Sequence, residues 1–206
     1  SNLESLSIAG TTNNIKLVNS GSGYTAQDTL TTTKYPEIDT DEIIYTSSNT
    51  NIATVDSTGN VSFVGGIGTV TITASNKSKS LSSSYTYNVI IPIDTMQLPN
   101  VAATTQTLKK GESIQHQVTY TPSNTSCSNY ISYSSSNTSV ATVDKNGIVN
   151  GISSGTATIT ATISGTYTKS GNPITTNYKV NVVVPVESIS TVDTLTLNLE
   201  EGSKTV

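Results

Sequence analysis

Residues Tyr133 to Ala161 read YSSSNTSVATVDKNGIVNGISSGTATITA, and residues Tyr45 to Ala74 read YTSSNTNIATVDSTGNVSFVGGIGTVTITA. Tyr45, Asn49, Ala53, Asp56, Gly59 and Val61 recur as Tyr133, Asn137, Ala141, Asp144, Gly147 and Val149, each displaced by 133 − 45 = 88. One residue then drops out, and Gly68 maps to Gly155 at a displacement of 87. That spacing is too long for a solenoid unit and suits a whole small β-domain.

Within the stretch, Val140 to Val143 alternate as a short strand and Val149 begins the return strand. Asp144-Lys-Asn-Gly147 between them has the chemistry of a tight hairpin. The aspartate can accept from the backbone two residues on, and the glycine can take the left-handed conformation. Asp56-Ser-Thr-Gly59 repeats this with different central residues, which marks Asp56, Gly59, Asp144 and Gly147 as structural turn positions. From Gly155 the period is strictly two, with Ala157, Ile159 and Ala161 on one face and threonines on the other.

The pattern S-S-N-x-x-[IV]-A-T-V-D-x-x-G-x-V, followed by G-x-x-x-I-T-A, resembles the bacterial immunoglobulin-like domain, group 2, of bacterial and phage surface proteins. Both copies carry it over about thirty residues. Family members often have Trp where Tyr45 and Tyr133 stand, and this chain has none. Tyrosine fills such a site with less area and needs a partner for its hydroxyl. The resemblance implies an all-β fold of two tandem immunoglobulin-like β-sandwiches.

The 206 residues contain no run of eighteen apolar residues, so no membrane-inserted segment is expected. All ten basic residues are lysine and the net charge is −4, thinly spread. A phosphate-binding face needs a basic cluster, so nucleic acid is not an expected partner. A single cysteine, Cys127, rules out an intramolecular disulfide.

Leu3-Glu-Ser-Leu, Ile93-Asp-Thr-Met and Val186-Glu-Ser-Ile read as three first strands, spaced 93 − 3 = 90 and 186 − 93 = 93 residues apart. Domains are therefore expected at 1–92 and 93–185, with 186–206 the N-terminal fragment of a third repeat. Leu199-Glu-Glu-Gly202 matches Leu108-Lys-Lys-Gly111. Such a fragment is expected to pair by strand addition onto an exposed sheet edge, either that of 93–185 or that of a neighbouring molecule, the latter giving self-association. Tyr85, Tyr87, Val89 and Ile91 alternate on a last strand, as do Tyr178, Val180, Val182 and Val184. Pro92 and Pro185 follow as linker residues that end those strands. So short a linker predicts a stiff rod.

Residues 10–42 are the least regular, with short strands expected at Ile15–Leu17 and Leu30–Thr33. Glu37, Asp39, Asp41 and Glu42 are a weak calcium candidate, since that cation takes six to eight oxygens. A solvated, edge-protecting loop explains the same charges. Ile114, His116, Val118 and Tyr120 alternate as one strand face, which reads His116 as a partly buried structural residue. Cys127 has no second ligand in pattern for zinc and no base beside it. No catalytic motif occurs, so neither an enzyme nor a cofactor is expected.

The expected role is a non-catalytic structural or adhesive stalk module of a bacterial cell-surface or secreted protein, which is fold-level analogy. The rival is a module that recognises cell-wall or host glycan, or a host protein, through Tyr24, Tyr35, Tyr130 and Tyr167 in loops.

Overall fold

A computed structural model describes residues 3–78, 80–98 and 105–186. Among these, nineteen strands and two three-residue 3-10 helices make up the regular structure, so the fold is nearly all β. The strands after Val186 expected from the sequence lie outside the described residues.

Two hydrophobic clusters form, and the same strand order surrounds each. Around the N-terminal core one sheet runs Asn14–Lys16, Ser82–Ile90, Gly68–Asn76, Ile43–Ser47. The facing sheet runs Val18–Asn19, Tyr24–Thr29, Asn60–Phe63, Ala53–Val55. Around the C-terminal core the first sheet becomes Gln106–Lys109, Ile174–Val183, Gly155–Ile163, Ser132–Ser135. The second becomes Ser113–Gln115, Ile148–Gly151, Ala141–Val143. In both, the last long strand pairs antiparallel with its predecessor and parallel with a short early strand. That placement of an early strand beside the last closes the sandwich edge.

The sequence periodicity dictates the burial. Val70, Ile72 and Ala74 on Gly68–Asn76 are fully buried, and Ala157, Ile159 and Ala161 occupy the same positions on Gly155–Ile163. Phe63 and Tyr87 meet edge to face at 5.1 Å in the N-terminal core. The C-terminal core has no phenylalanine and fills with Leu108, Val149, Ile163 and Val180. Burying each such side chain stabilises by about 1.5–3 kcal/mol, which these disulfide-free cores rely on.

Four expectations need correction. Ile114 to Tyr120 is not one strand: Ser113–Gln115 pairs with Ile148–Gly151, whereas Thr119–Thr121 pairs with Thr95–Gln97. A chain crossing between ladders must leave one before joining the other, so residues 116–118 stand unpaired although their in–out alternation persists. The same crossing occurs at Leu30, which separates Tyr24–Thr29 from Thr31–Tyr35, so the strand placed at Leu30–Thr33 starts later and has an unforeseen partner before it. Tyr24 and Tyr35 consequently sit at strand ends, not in loops. Finally, Val184 is exposed, because the ladder it would join stops where Lys110 N–H bonds Val183 C=O at 2.8 Å.

Candidate functional site

The acidic residues do not converge. Asp39 turns a carboxylate oxygen onto the backbone N–H of Asp41 at 2.7 Å, while Glu42 pairs with Lys77 at 3.3 Å. Among the described residues no three acidic, histidine or cysteine side chains are grouped to hold a metal ion.

The two hairpins share one geometry. Asp56 accepts from Thr58 N–H at 2.8 Å and Asn60 N–H at 3.0 Å, and Asp144 accepts from Asn146 N–H at 2.8 Å and Ile148 N–H at 2.9 Å. Gly59 and Gly147 have φ of 85° and 78°, in the left-handed region. Hydrogen bonds from the Thr58 hydroxyl and then from Asn60 hold the Asp56 carboxyl well below its ordinary range.

Tyr130 and Tyr167 stack face to face, centroids 3.8 Å apart and planes 3° from parallel, so each covers the other. Tyr24 instead gives its hydroxyl to Asn124 at 3.3 Å, and Tyr35 is exposed.

His116 is half-buried against Tyr178, rings edge to face at 4.9 Å, and burial lowers its pKa. Among the described residues its Nε2 and the Tyr178 hydroxyl have no hydrogen-bond partner. Burial likewise raises Tyr178 to about 12. Cys127 is fully buried, its thiol pushed up by burial against the opposing pull of the Ser126 and Thr125 hydroxyls and the Lys16 charge. Neither residue is arranged as a nucleophile–base pair.

Two further features have no sequence motif. The first is the joint between the cores. Ile91 packs in the N-terminal core and Ile93 in the C-terminal one, with Pro92 buried between them. Lys16 reaches across and donates its ammonium to the carbonyls of Gly165 and Thr168 at 3.0 and 2.7 Å. Those carbonyls belong to the 164–173 connection, which also brackets Ile93 through Ile93 N–H to Tyr167 C=O and Lys169 N–H to Ile93 C=O. Thr125 donates to Ile91 C=O at 2.6 Å, and Ile91 N–H donates to Ser126 at 3.0 Å. Only the length of that connection, against 77–81 in the first repeat, hinted at this.

The second is an open cleft of about 630 Å³ on the C-terminal core, lined by Gln115, Gln117, Tyr120, Asn129, Tyr133 and Asn146 among others. Burial, then electrostatic repulsion involving Tyr120 and Asp144, raise the Tyr133 pKa.

Comparison with known proteins places these features in context. Residues 99–172 match the family model of the bacterial Ig-like domain (group 2), and residues 42–78 match that of the intimin immunoglobulin-like domain. The resemblance expected from the repeated motif is therefore shown, by the group 2 model over 99–172 and by the intimin immunoglobulin-like model over 42–78. No curated protein matches. Among solved structures, the chain is similar to surface layer protein SbsC, domains 1–6, at 18% identity over 90% of this chain and 28% of that one, with a TM-score of 0.34. It is also similar to the C-terminal 282-residue fragment of intimin in complex with the translocated intimin receptor (Tir) intimin-binding domain, at 13% identity over 88% and 64%, TM-score 0.39. A third is Drosophila OTK, extracellular domains 3–5, at 14% identity over 89% and 63%, TM-score 0.45. The chain thus spans between about a quarter and two thirds of the length of these proteins.

Proposed function

We propose that this chain is a non-catalytic structural and adhesive stalk segment of a bacterial cell-surface or secreted protein. In this reading residues 1–92 and 93–185 are successive immunoglobulin-like modules, and residues 186–206 open a third. A stalk must transmit position and force from one module to the next, and the observation that supports it is the Lys16 joint. A charged donor on two main-chain carbonyls is worth about 1.5–3 kcal/mol per hydrogen bond, more than a rim salt bridge such as Lys169–Asp94. Ile91, Pro92 and Ile93 add burial on both sides, so the linker has no free rotor. Among the described residues no helix is long and apolar enough to cross a membrane.

Pulsed electron paramagnetic resonance tests this directly. Spin labels at the exposed positions Thr46 and Ser134, replaced by cysteine, should give one narrow distance distribution. Lys16→Met keeps the aliphatic stem, removes the donor, and should broaden that distribution. A broad distribution in the parent chain would overturn the stalk reading.

A further inference from the structure

The cleft on the C-terminal core exists because a closure made in the N-terminal core is missing there. Asp28 lies opposite Val61, and Ile114 lies opposite Val149, so the register equates Leu30 with His116 and Thr32 with Val118. In the N-terminal core Leu30 N–H donates to Gly59 C=O at 2.9 Å, and the hydroxyls of Thr32 and Tyr45 share a hydrogen bond of 2.7 Å. Those two bonds seal the strand crossing onto the hairpin. In the C-terminal core Val118 has no hydroxyl to offer Tyr133, the counterpart of Tyr45. Among the described residues only the side chain of Gln115 bridges the gap, donating to Asn146 C=O at 2.9 Å.

The lining selects the ligand chemistry. Gln115, Gln117, Asn129 and Asn146 supply amides, each with both donor and acceptor atoms. Tyr120 and Tyr133 add half-buried rings with hydroxyls. A cation would find no carboxylate among these lining residues, and an anion only the exposed Lys145. An apolar ligand would strand the amides without hydrogen-bond partners, which costs more than its burial returns. A neutral polyhydroxyl compound satisfies all of these groups, and 630 Å³ lies within the range of small-molecule sites. We propose that this cleft is a carbohydrate-binding subsite for a neutral sugar residue. It goes beyond the stalk role and does not depend on the joint.

The full chain would be screened on an array of neutral and acidic oligosaccharides and on a random peptide library, and the strongest hit titrated by amide NMR. The expected result is saturable binding of a neutral glycan with shifts at Gln117, Asn129 and Tyr133. Gln117 and Asn129 are exposed, so Gln117→Ala with Asn129→Ala should leave the melting curve unchanged and weaken that binding at least tenfold. Tyr35→Ala should leave it unchanged. No array binding, selection of acidic glycans or peptides only, shifts mapping elsewhere, or full affinity in the double variant would each overturn the proposal.

Discussion

Tyr87 donates its hydroxyl to Asp28 across 2.8 Å inside the N-terminal core, where the tyrosine is fully buried and the aspartate nearly so. Thr11 completes the carboxylate's shell with its hydroxyl at 2.7 Å and its backbone N–H at 3.1 Å. In the C-terminal core Ile114 stands where Asp28 does, and no equivalent network forms. The two cores share one strand order but differ at this position: a polar network surrounds Asp28, whereas Ile114 packs against apolar side chains.

Removing the acceptor should cost more than weakening it. Asp28→Ala leaves the buried Tyr87 hydroxyl without a partner, an expected loss of about 1–3 kcal/mol. Asp28→Asn retains an acceptor and should lose less. Urea denaturation monitored by near-ultraviolet circular dichroism checks the order; equal stabilities for the two variants would contradict the network.

Acid should weaken the N-terminal core through this same carboxylate. Burial raises its pKa, but hydrogen bonds from Thr11, Tyr87 and Thr29 outweigh burial and leave it lowered. Between that folded value and an unfolded value of about 3.9, the unfolded chain binds the extra proton. The stabilisation is therefore complete above about pH 4 and is lost as pH falls through the folded pKa. Asp28→Asn should flatten this acid slope in denaturation curves measured from pH 5 downward.

The two hairpin glycines should respond unequally to a side chain. Both need positive φ, which costs a β-branched residue about 1–3 kcal/mol. A Cβ at Gly147 would also lie 3.0 Å from the Tyr133 ring, against 3.4 Å from Tyr45 at Gly59. Gly147→Val should thus lower the melting temperature of the C-terminal core further than Gly59→Val lowers that of the N-terminal core. Melts of both variants that overlay the parent would remove the left-handed turns from the account.

Cys127 should report unfolding of the C-terminal core. It is fully buried and its thiol pKa is raised, so little nucleophilic thiolate is available in the native state. A disulfide-exchange reagent should label it only under denaturing conditions. Rapid labelling of the native chain would show that the C-terminal core opens around Cys127 under native conditions.

The fold class and the family resemblance were legible in the sequence because they rest on local patterns: alternation in Gly155–Ile163, repeated at Gly68–Asn76, and a motif of some thirty residues present twice. A period of two fixes which side chains face inward whatever the strand pairs with. The tertiary structure alone decided the contacts between distant residues. Asp28 reads as an ordinary polar residue until Tyr87, 59 positions later, is packed against it. Lys16 is one lysine among ten until the chain places Thr168 under its ammonium. The cleft is less legible still, since it follows from two hydrogen bonds that Leu30 and Thr32 make and that His116 and Val118 do not. Sequence periodicity sets orientation, whereas pairing between remote segments is a property of the folded backbone.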